Sequence, residues 1–441
     1  MVGRGMKGSK RWWRSGVDRR PQAWVQLSTA MMISSGMASG LVVSRVLGPA
    51  GRGLWAGVTS WLALIAWMAT LGVDEALPTL GAGSPRAYSA VADRVFRASA
   101  LPGSILAGVV IWEVFGPSLA VCLTGSLYVV GYLLVRWSLA WGLTSQRYGV
   151  WAVSRAVLPS CQAVIVVTAA ALGYLTAGTA VALFGISALL AGVLVAVPTL
   201  RARRAQQGTR AVVDAGRVVR FGLSLQLFSL PATLNWRLDQ LLMTFLVPRA
   251  ELGSYAVAAT VASIPIAFVA AEAERALPGM AVAAGDEAAL KAAVAGLARR
   301  LALLYVVLAT AIALSAPVAI PALFGPAFGG AAAQAEVLLV GMAAMTASYW
   351  ATAVLRTARA SRLLVVTECS GLLVAVVLLV LLLPPLGAWG AVVASVGAYI
   401  VKAATQVAFV GWAIRSVAGG RDQSTTAVRT DSPTSTHSSA P

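Results

Sequence analysis

Residues 47–78 read LGPAGRGLWAGVTSWLALIAWMATLGVDEALP, and residues 247–278 read VPRAELGSYAVAATVASIPIAFVAAEAERALP. The two stretches align at a constant offset of 200 positions without a gap, although only six positions are identical. Near its start each stretch has the pattern Gly-x-aromatic-Ala, and each ends with a charged pair followed by Ala-Leu-Pro. Internal repeats of this kind are a signature of secondary transporters. The repeat therefore divides the chain into two related halves.

The composition indicates a membrane protein. Of the 441 residues 59% are hydrophobic and 11% are charged, whereas a soluble domain carries about 25% charged residues. The net charge of +18 follows from basic residues in short loops and tails, as the positive-inside rule requires. Because no soluble segment is long enough to hold a strand, nucleic acid is not an expected partner.

Twelve apolar runs recur along the chain, six in each half, and each is near the roughly 20 residues that span a bilayer. They cover about residues 24–46, 53–77, 98–115, 119–143, 150–174, 177–200, 221–247, 252–277, 301–323, 333–355, 363–383 and 388–414. We therefore predict an all-α polytopic membrane protein, with about 12 transmembrane helices in two pseudo-symmetric six-helix bundles.

Lysine and arginine outside these runs lie almost entirely on one side of the predicted membrane. This places both termini in the cytoplasm, and the abundance of Ala, Val, Gly and Arg is typical of a GC-rich bacterial gene. We expect a multi-pass protein of the bacterial cytoplasmic membrane. The predicted domains are a basic N-terminal tail (1–22), a first bundle (23–200), a cytoplasmic linker (201–220), a second bundle (221–415) and a disordered tail (416–441).

Several kinds of chemistry are excluded by what the chain lacks. The cysteines, Cys122, Cys161 and Cys369, lie in apolar runs without paired spacing, and the sole histidine is His437 in the polar tail. Neither a metal site nor a disulfide is predicted. The chain has no Gly-x-x-x-x-Gly-Lys-Ser/Thr phosphate loop and no extramembrane segment that could form a catalytic domain. We predict no enzyme, no catalytic residue and no bound cofactor, with energy drawn from the membrane potential or a gradient of H⁺ or Na⁺.

Four short motifs carry a resemblance to a known family. They are residues 44–49 (SRVLGP), 53–56 (GLWA), 237–242 (RLDQLL) and 252–258 (LGSYAVA). The chain resembles the polysaccharide-lipid flippases, the oligosaccharidyl-lipid exporters of the MOP superfamily. That superfamily also holds the MATE drug antiporters and the lipid II flippases; the latter usually have two additional spans, which this sequence lacks.

The resemblance implies two six-helix bundles around a central, often cationic cavity. It also implies that the cargo is a polyprenyl-diphosphate-linked glycan, moved by alternating access. The expected partners are the lipid bilayer, this lipid-linked glycan, and a glycan polymerase or assembly protein. Two alternatives stay open: an ion-coupled multidrug or cation antiporter of the same fold, and a scaffold within a glycan-assembly complex.

Ionisable side chains inside apolar spans mark candidate sites, because each is costly in lipid and is usually functional. Arg45, Arg237 and Lys402 are predicted to attract the diphosphate head group, since a guanidinium matches phosphate in a planar fork and stays charged. In the alternative arrangement Arg237 pairs with Asp239 or with a neighbouring helix, and Arg45 extends to the membrane interface. Arg136, near the inner end of the fourth span, is also expected to extend to the interface.

Polar side chains in the seventh span predict a cavity wall there. They share two helical rows beside Pro231, and they are Gln226, Thr233, Asn235 and Asp239. Carboxylates near the inner ends of spans predict ion coupling or an inner gate closed by charge pairs, although simple salt bridges at loop ends would look the same. These carboxylates are Asp74, Glu75, Glu272, Glu274 and Glu368. Of all these residues, Glu368 and Asp239 are the candidates to take up a proton or a sodium ion.

Overall fold

The computed structural model describes residues 21–81, 85–116, 118–204, 213–284 and 286–419. All regular structure in these ranges is helical. The helices are α1 (Pro21–Met68), α2 (Val73–Leu80), α3 (Pro85–Phe115), α4 (Leu119–Thr144), α5 (Tyr148–Ala171), α6 (Ala177–Arg204), α7 (Ala215–Asn235), α8 (Leu238–Leu246), α9 (Arg249–Ala262), α10 (Ile264–Ala283), α11 (Glu287–Phe324), α12 (Ala331–Thr357), α13 (Ser361–Leu386) and α14 (Ala388–Gly419), with a 3-10 turn at Pro326–Phe328. Most of the predicted tails, His437 and the middle of the predicted linker lie outside the described residues.

Helix α1 is two spans joined by a bend. It has 48 residues, far more than the roughly 20 that cross a bilayer. At Gly48 the backbone leaves the helix with φ 66° and ψ −173°, and Pro49 follows directly. Only glycine adopts this conformation readily, and proline is well suited to the first turn of a new helix. Residues 21–47 and 49–68 therefore form the first two spans.

Three further spans are broken. Leu71 and Gly72, both with positive φ, separate α2 from α1. Trp236 and Arg237 separate α8 from α7. Between α9 and α10 the axis bends by 40° near Ser263. Backbone groups freed at such breaks need partners inside the protein, because lipid offers none.

The number of spans agrees with the sequence prediction. In the described part of the chain, nine helices are long and apolar enough to cross a membrane, and the bent pair α9–α10 makes ten. Dividing α1 at Gly48 gives eleven, and the broken pair α7–α8 gives twelve. The predicted class, an all-α membrane protein with about twelve transmembrane helices, is confirmed.

Contacts between residues group the chain into two compact units. The first runs to Ala258 and adds Pro317–Ala332 and Leu382–Ala391, and the second contains the rest. This division follows local contacts and not the sequence repeat. The predicted domain boundaries, which follow the repeat, stay a prediction.

The core of the first unit combines aromatic packing with close helix contact. The Phe184 ring stacks on Tyr128 at 4.6 Å between centroids and meets Trp55 edge-on at 5.0 Å. Helices α4 and α6 approach closely because glycine faces backbone in both directions: Gly131 lies against Ala188, and Gly185 lies against the carbonyl of Thr124. Such small-residue contacts are the usual basis of helix association in membranes, where no hydrophobic effect draws helices together.

The sequence repeat appears in the structure as a reciprocal contact. A β-carbon added at Gly53 would overlap the carbonyl oxygen of Arg249, and one added at Gly253 would overlap the carbonyl oxygen of Pro49. The two contacts are equivalent under the repeat, since Gly53 corresponds to Gly253 and Pro49 corresponds to Arg249 at the offset of 200. The second span and α9 therefore cross about a local two-fold axis, with the repeat glycines at the crossing.

Candidate functional site

The break between α7 and α8 places Arg237 at the start of α8. Its backbone has φ −135° and stands at the N-cap position, after α7 has ended at Asn235. The side chain is half-buried. Among the described residues, no carboxylate oxygen lies within 4.0 Å of its guanidinium. The predicted alternative, an ion pair between Arg237 and Asp239, is therefore not the arrangement seen.

Asp239 has other partners. Its carboxylate, 7% exposed, accepts a hydrogen bond from the Tyr255 hydroxyl and one of 2.7 Å from the backbone N–H of Gln240. Tyr255 is the repeat counterpart of Trp55 and is itself buried. The sequence analysis missed this tyrosine, although the repeat contained a signal: the second copy has a phenol where the first has an indole.

The predicted polar wall of the seventh span is partly engaged with backbone. The Gln226 amide donates to the carbonyl oxygens of Trp67 at 2.7 Å and Met68 at 3.4 Å, and so satisfies the end of the second span. The Thr233 hydroxyl donates to the carbonyl of Ser229 at 3.0 Å. Asn235, half-buried, ends α7 beside the break. Gln226 thus stabilises a broken span, whereas Asn235 and Arg237 mark the break in another.

Arg45 and Arg249 both bind the ends of helices. The Arg45 guanidinium donates to the carbonyl oxygens of Ala322 at 3.2 Å and Leu323 at 3.4 Å, at the end of α11. Arg249 donates to the carbonyl of Val114 at 2.8 Å, at the end of α3. A cation suits a helix C-terminus, where carbonyl groups are unpaired and the helix dipole is negative. Arg45 is exposed and its two hydrogen bonds are long, so it can exchange these carbonyl groups for an anionic partner.

A buried ion pair lies at the start of α2. The Arg136 Nε donates to Asp74 Oδ2 at 2.6 Å, and its Nη2 contacts the same oxygen. The Asp74 side chain is 1% exposed. The prediction that Arg136 extends to the interface is therefore wrong. Its side chain turns inward, because the buried carboxylate of Asp74 needs a counter-charge. Glu75, the next residue, is half-buried.

The equivalent end of the second repeat is built differently. Glu272 pairs with Arg275 at 2.7 Å and with Arg300 at 3.7 Å, and both arginines are more than half exposed. Glu274, which the repeat aligns with Asp74, is exposed. The two carboxylate clusters therefore share a sequence position without sharing a geometry: the first is an internal pair, and the second is a surface network.

The second unit contains a buried ion pair between α13 and α14. Lys402 Nζ lies 2.7 Å from Glu368 Oε1, and the two side chains are 6% and 15% exposed. Taking both charges out of water is costly, and their mutual attraction only offsets this when neighbouring polar groups assist. In this structure the positive charge of Lys402 is therefore balanced by the carboxylate of Glu368.

Neutral polar groups surround this pair. Ser370 and Thr405 share a hydrogen bond of 3.1 Å, and Ser348 donates to the Gln406 side chain at 2.5 Å. Helices α12, α13 and α14 thus build one polar cluster inside an apolar bundle. Sequence analysis identified the two charges but missed Ser348 and Ser370, because hydroxyl residues are common in membrane helices and their spacing gave no signal.

In the described part of the chain, no group of three or more His, Cys, Asp or Glu side chains is arranged to hold a metal ion. In each unit the candidate residues are charged side chains: the first unit has them at a helix break and in a buried pair, and the second has them in a buried pair.

The fold matches solved structures of one superfamily. A lipid II flippase MurJ in an inward closed conformation aligns with a TM-score of 0.69 at 10% identity, covering 92% of this chain and 93% of that one. An inward-facing MATE family multidrug resistance transporter of the MOP superfamily aligns with a TM-score of 0.62 at 14% identity, covering 92% and 100%. The outward-facing conformation of a MATE family transporter gives 0.56 at 14% identity, covering 90% and 95%. With its twelve spans, the chain therefore has the fold of these transport proteins.

The sequence itself identifies the family. The profile described as "Polysaccharide biosynthesis protein" matches residues 42–333, about two thirds of the chain. The protein therefore belongs to the polysaccharide biosynthesis protein family, which confirms the resemblance seen in the motifs. Among curated proteins, none matches the sequence.

Proposed function

We propose that the protein is a flippase for a polyprenyl-diphosphate-linked oligosaccharide, a precursor of a cell-surface polysaccharide. It moves this cargo across the bacterial cytoplasmic membrane by alternating access, with both termini in the cytoplasm, and is not an enzyme. Membership of the polysaccharide biosynthesis family supports the glycan. The observation that carries the proposal is Arg237: a half-buried guanidinium at a helix break, with no carboxylate within 4.0 Å among the described residues.

The physical reason is the cost of the charge. A cation within a span costs about 2.5–3.5 kcal/mol on insertion scales, and in the described chain the buried charges of Asp74 and Lys402 have counter-ions. A diphosphate supplies the missing negative charge. The planar guanidinium binds phosphate oxygens in a bidentate fork, and it does so without losing its proton.

Lys402 and Arg45 assist in different ways. For Lys402 to contact an anionic head group, its ammonium must leave Glu368, and protonation of Glu368 releases it. Binding of the cargo to Lys402 is therefore coupled to proton uptake by Glu368, which gives the transporter an ion gradient to use. Arg45 contributes by exchanging its two long bonds to helix carbonyls for phosphate oxygens.

The remaining carboxylates control the conformational change in this proposal. Asp74 and Glu272 form charge pairs at the inner ends of spans, with Glu75 and Glu274 beside them, and these pairs close the inner side. Asp239 stays bonded to Tyr255 and holds α8 in register, Gln226 stays bonded to the end of the second span, and Thr233 and Asn235 offer hydrogen bonds to the sugars. The proposed partners are the bilayer, the lipid-linked glycan and a glycan polymerase or assembly protein.

The test is transport of a fluorescent polyprenyl-diphosphate sugar in proteoliposomes. Arg237→Ala removes the unpaired cation, and we expect the rate to fall roughly 10- to 100-fold, as for a lost charge-assisted hydrogen bond. Arg237→Lys should recover part of the rate. Arg220→Ala is the matched control, because Arg220 lies on α7 with its side chain 80% exposed.

Three outcomes would contradict the proposal. Transport by Arg237→Ala at the wild-type rate would remove the role of this residue. Efflux of organic cations without movement of the lipid would instead support an antiporter of the same fold. If neither cargo moves across a range of glycans and with an imposed proton gradient, the scaffold alternative is favoured.

A further inference from the structure

A groove in the first unit is lined by none of the residues assigned to the proposed transport site. It runs between α3, α4 and α6 and encloses about 350 Å³, within the range of volumes that hold small ligands. Its walls are apolar and include Phe96, Val130, Leu133, Leu134, Ala196 and Leu200. The occupant of such a groove must be largely apolar.

One end of the groove is charged. Asp93 and Arg97 line it, and Arg203 pairs with Asp93 at 2.5 Å. The Arg97 Nε donates to the carbonyl oxygen of Asp93 at 3.0 Å, which leaves the rest of its guanidinium exposed. Further exposed arginines stand on the same helix ends, namely Arg94, Arg201 and Arg204. Five arginines against one aspartate make this end strongly positive.

Trp137 supplies an independent observation. It lines the groove and is 5% exposed. Its indole nitrogen is buried and meets no hydrogen-bond acceptor among the described residues. The guanidinium carbon of Arg203 lies 5.9 Å from the centre of its ring. A buried indole N–H without an acceptor is unfavourable, and Trp is normally found where its N–H can be satisfied.

The lining of the groove changes from charged to apolar along its length. From Asp93 to Ala100 on α3 is seven residues, or about 10 Å along the helix axis. Over that distance the lining changes from arginine and aspartate to alanine, valine and leucine. An amphiphile aligned with the helices would place an anionic group at the arginines and a hydrocarbon chain in the groove.

We propose that this groove binds an anionic phospholipid, independently of the proposed transport function. One acyl chain fills the groove, the phosphate contacts Arg97 and Arg203, and an oxygen of the phosphate or of an ester accepts the hydrogen bond of the Trp137 indole. Basic pockets between transmembrane helices bind anionic head groups by this chemistry. The positive-inside rule alone accounts for arginines at helix ends, but it does not account for the groove or for the buried indole N–H.

The test is native mass spectrometry of the purified full chain in detergent, titrated with phosphatidylglycerol or with phosphatidylcholine of the same acyl chains. We expect preferential binding of phosphatidylglycerol. Trp137→Phe keeps the ring and removes the N–H, and should weaken this binding roughly 2- to 10-fold. Arg97→Ala should weaken it roughly fivefold, and Ala100→Phe should abolish it by filling the groove.

Trp151→Phe is the matched control. Trp151 also lies beside an arginine, with the Arg155 guanidinium carbon 5.3 Å from its ring, but it does not line the groove. This variant should bind phosphatidylglycerol like the wild type.

Three results would overturn the proposal. The first is equal binding of the two lipids. The second is unchanged binding in Trp137→Phe and Arg97→Ala, with a thermal unfolding midpoint that shows both variants to be folded. Displacement of phosphatidylglycerol by a lower concentration of polyprenyl diphosphate would also overturn it, since the groove would then belong to the cargo.

Discussion

Lys402 and Glu368 show what a buried charge requires in this protein. Each is largely removed from solvent, and the ammonium and the carboxylate lie 2.7 Å apart. Removing one partner of a buried pair leaves the other as an uncompensated charge, which is far more costly than the pair itself is stabilising. The ion pair therefore contributes little net stability, but removing either partner destabilises the protein strongly.

We predict that Lys402→Met and Glu368→Gln each destabilise the protein by about 3–5 kcal/mol, and that the double variant recovers most of this loss. Unfolding of the purified protein in detergent at neutral pH measures both effects. The control is Lys291→Met, which breaks an ion pair with Glu287 whose side chains are 60% and 46% exposed. An exposed pair should cost no more than about 1 kcal/mol, and equal costs for both pairs would contradict the prediction.

At the scale of residues, charges were predictable and their partners were not. Lys402, Glu368, Arg237 and Asp239 stood out because an ionisable residue inside an apolar run is rare and costly. The pairing of Arg136 with Asp74, and the roles of Ser348 and Ser370 near Lys402, were not predicted. Their roles depend on which helices are neighbours, and a single sequence does not contain that information.

At the scale of elements, hydropathy predicted where helices lie but not where they bend. The predicted spans 119–143, 177–200 and 388–414 agree closely with α4, α6 and α14. Helix α3 begins at Pro85, whereas the predicted span begins near residue 98. The first turns of the helix carry arginines, so hydropathy did not detect them as part of a span. The break at Trp236 and Arg237 has no glycine, so local sequence gave no signal for it.

The bend in α1 gives a prediction of its own. Gly48→Ala places a side chain at φ 66°, ψ −173°, a region that is almost restricted to glycine. No atom lies within 4 Å of the added carbon, so the cost is one of backbone conformation alone. We expect a loss of about 1–3 kcal/mol in the free energy of unfolding.

Gly36→Ala is the control in the same helix. The added carbon again meets nothing within 4 Å, but Gly36 lies in regular helix. Alanine is favoured over glycine there by about 0.5–1 kcal/mol, so this variant should be slightly stabilised. Thermal unfolding in detergent compares the two, and a shift of the same sign in both would contradict the prediction.

At the scale of the whole molecule, the basic residues predict an orientation for the twelve spans. Arg201 is exposed at the end of α6, whereas Thr176 is exposed in the turn before the same helix. These two positions must lie on opposite sides of the membrane, since α6 has 28 residues and crosses it.

We predict that Arg201→Cys is labelled only from the cytoplasmic side and Thr176→Cys only from the outside. The measurement uses a membrane-impermeant maleimide on intact and permeabilised cells. Its background is a chain whose three native cysteines have been replaced, because Cys369 is exposed. The reverse pattern would invert the predicted topology, and labelling of both positions from one side would contradict the number of spans.

The reciprocal contact of Gly53 with Arg249 and Gly253 with Pro49 has a consequence for how such a chain can arise. A contact that maps onto itself when its members are exchanged is the contact of a symmetric homodimer. A half-length chain bearing the first copy would thus present a surface complementary to its own duplicate. Gene fusion would then preserve an interface that association of two separate polypeptides had already established, and glycine would be required in both copies for one and the same reason.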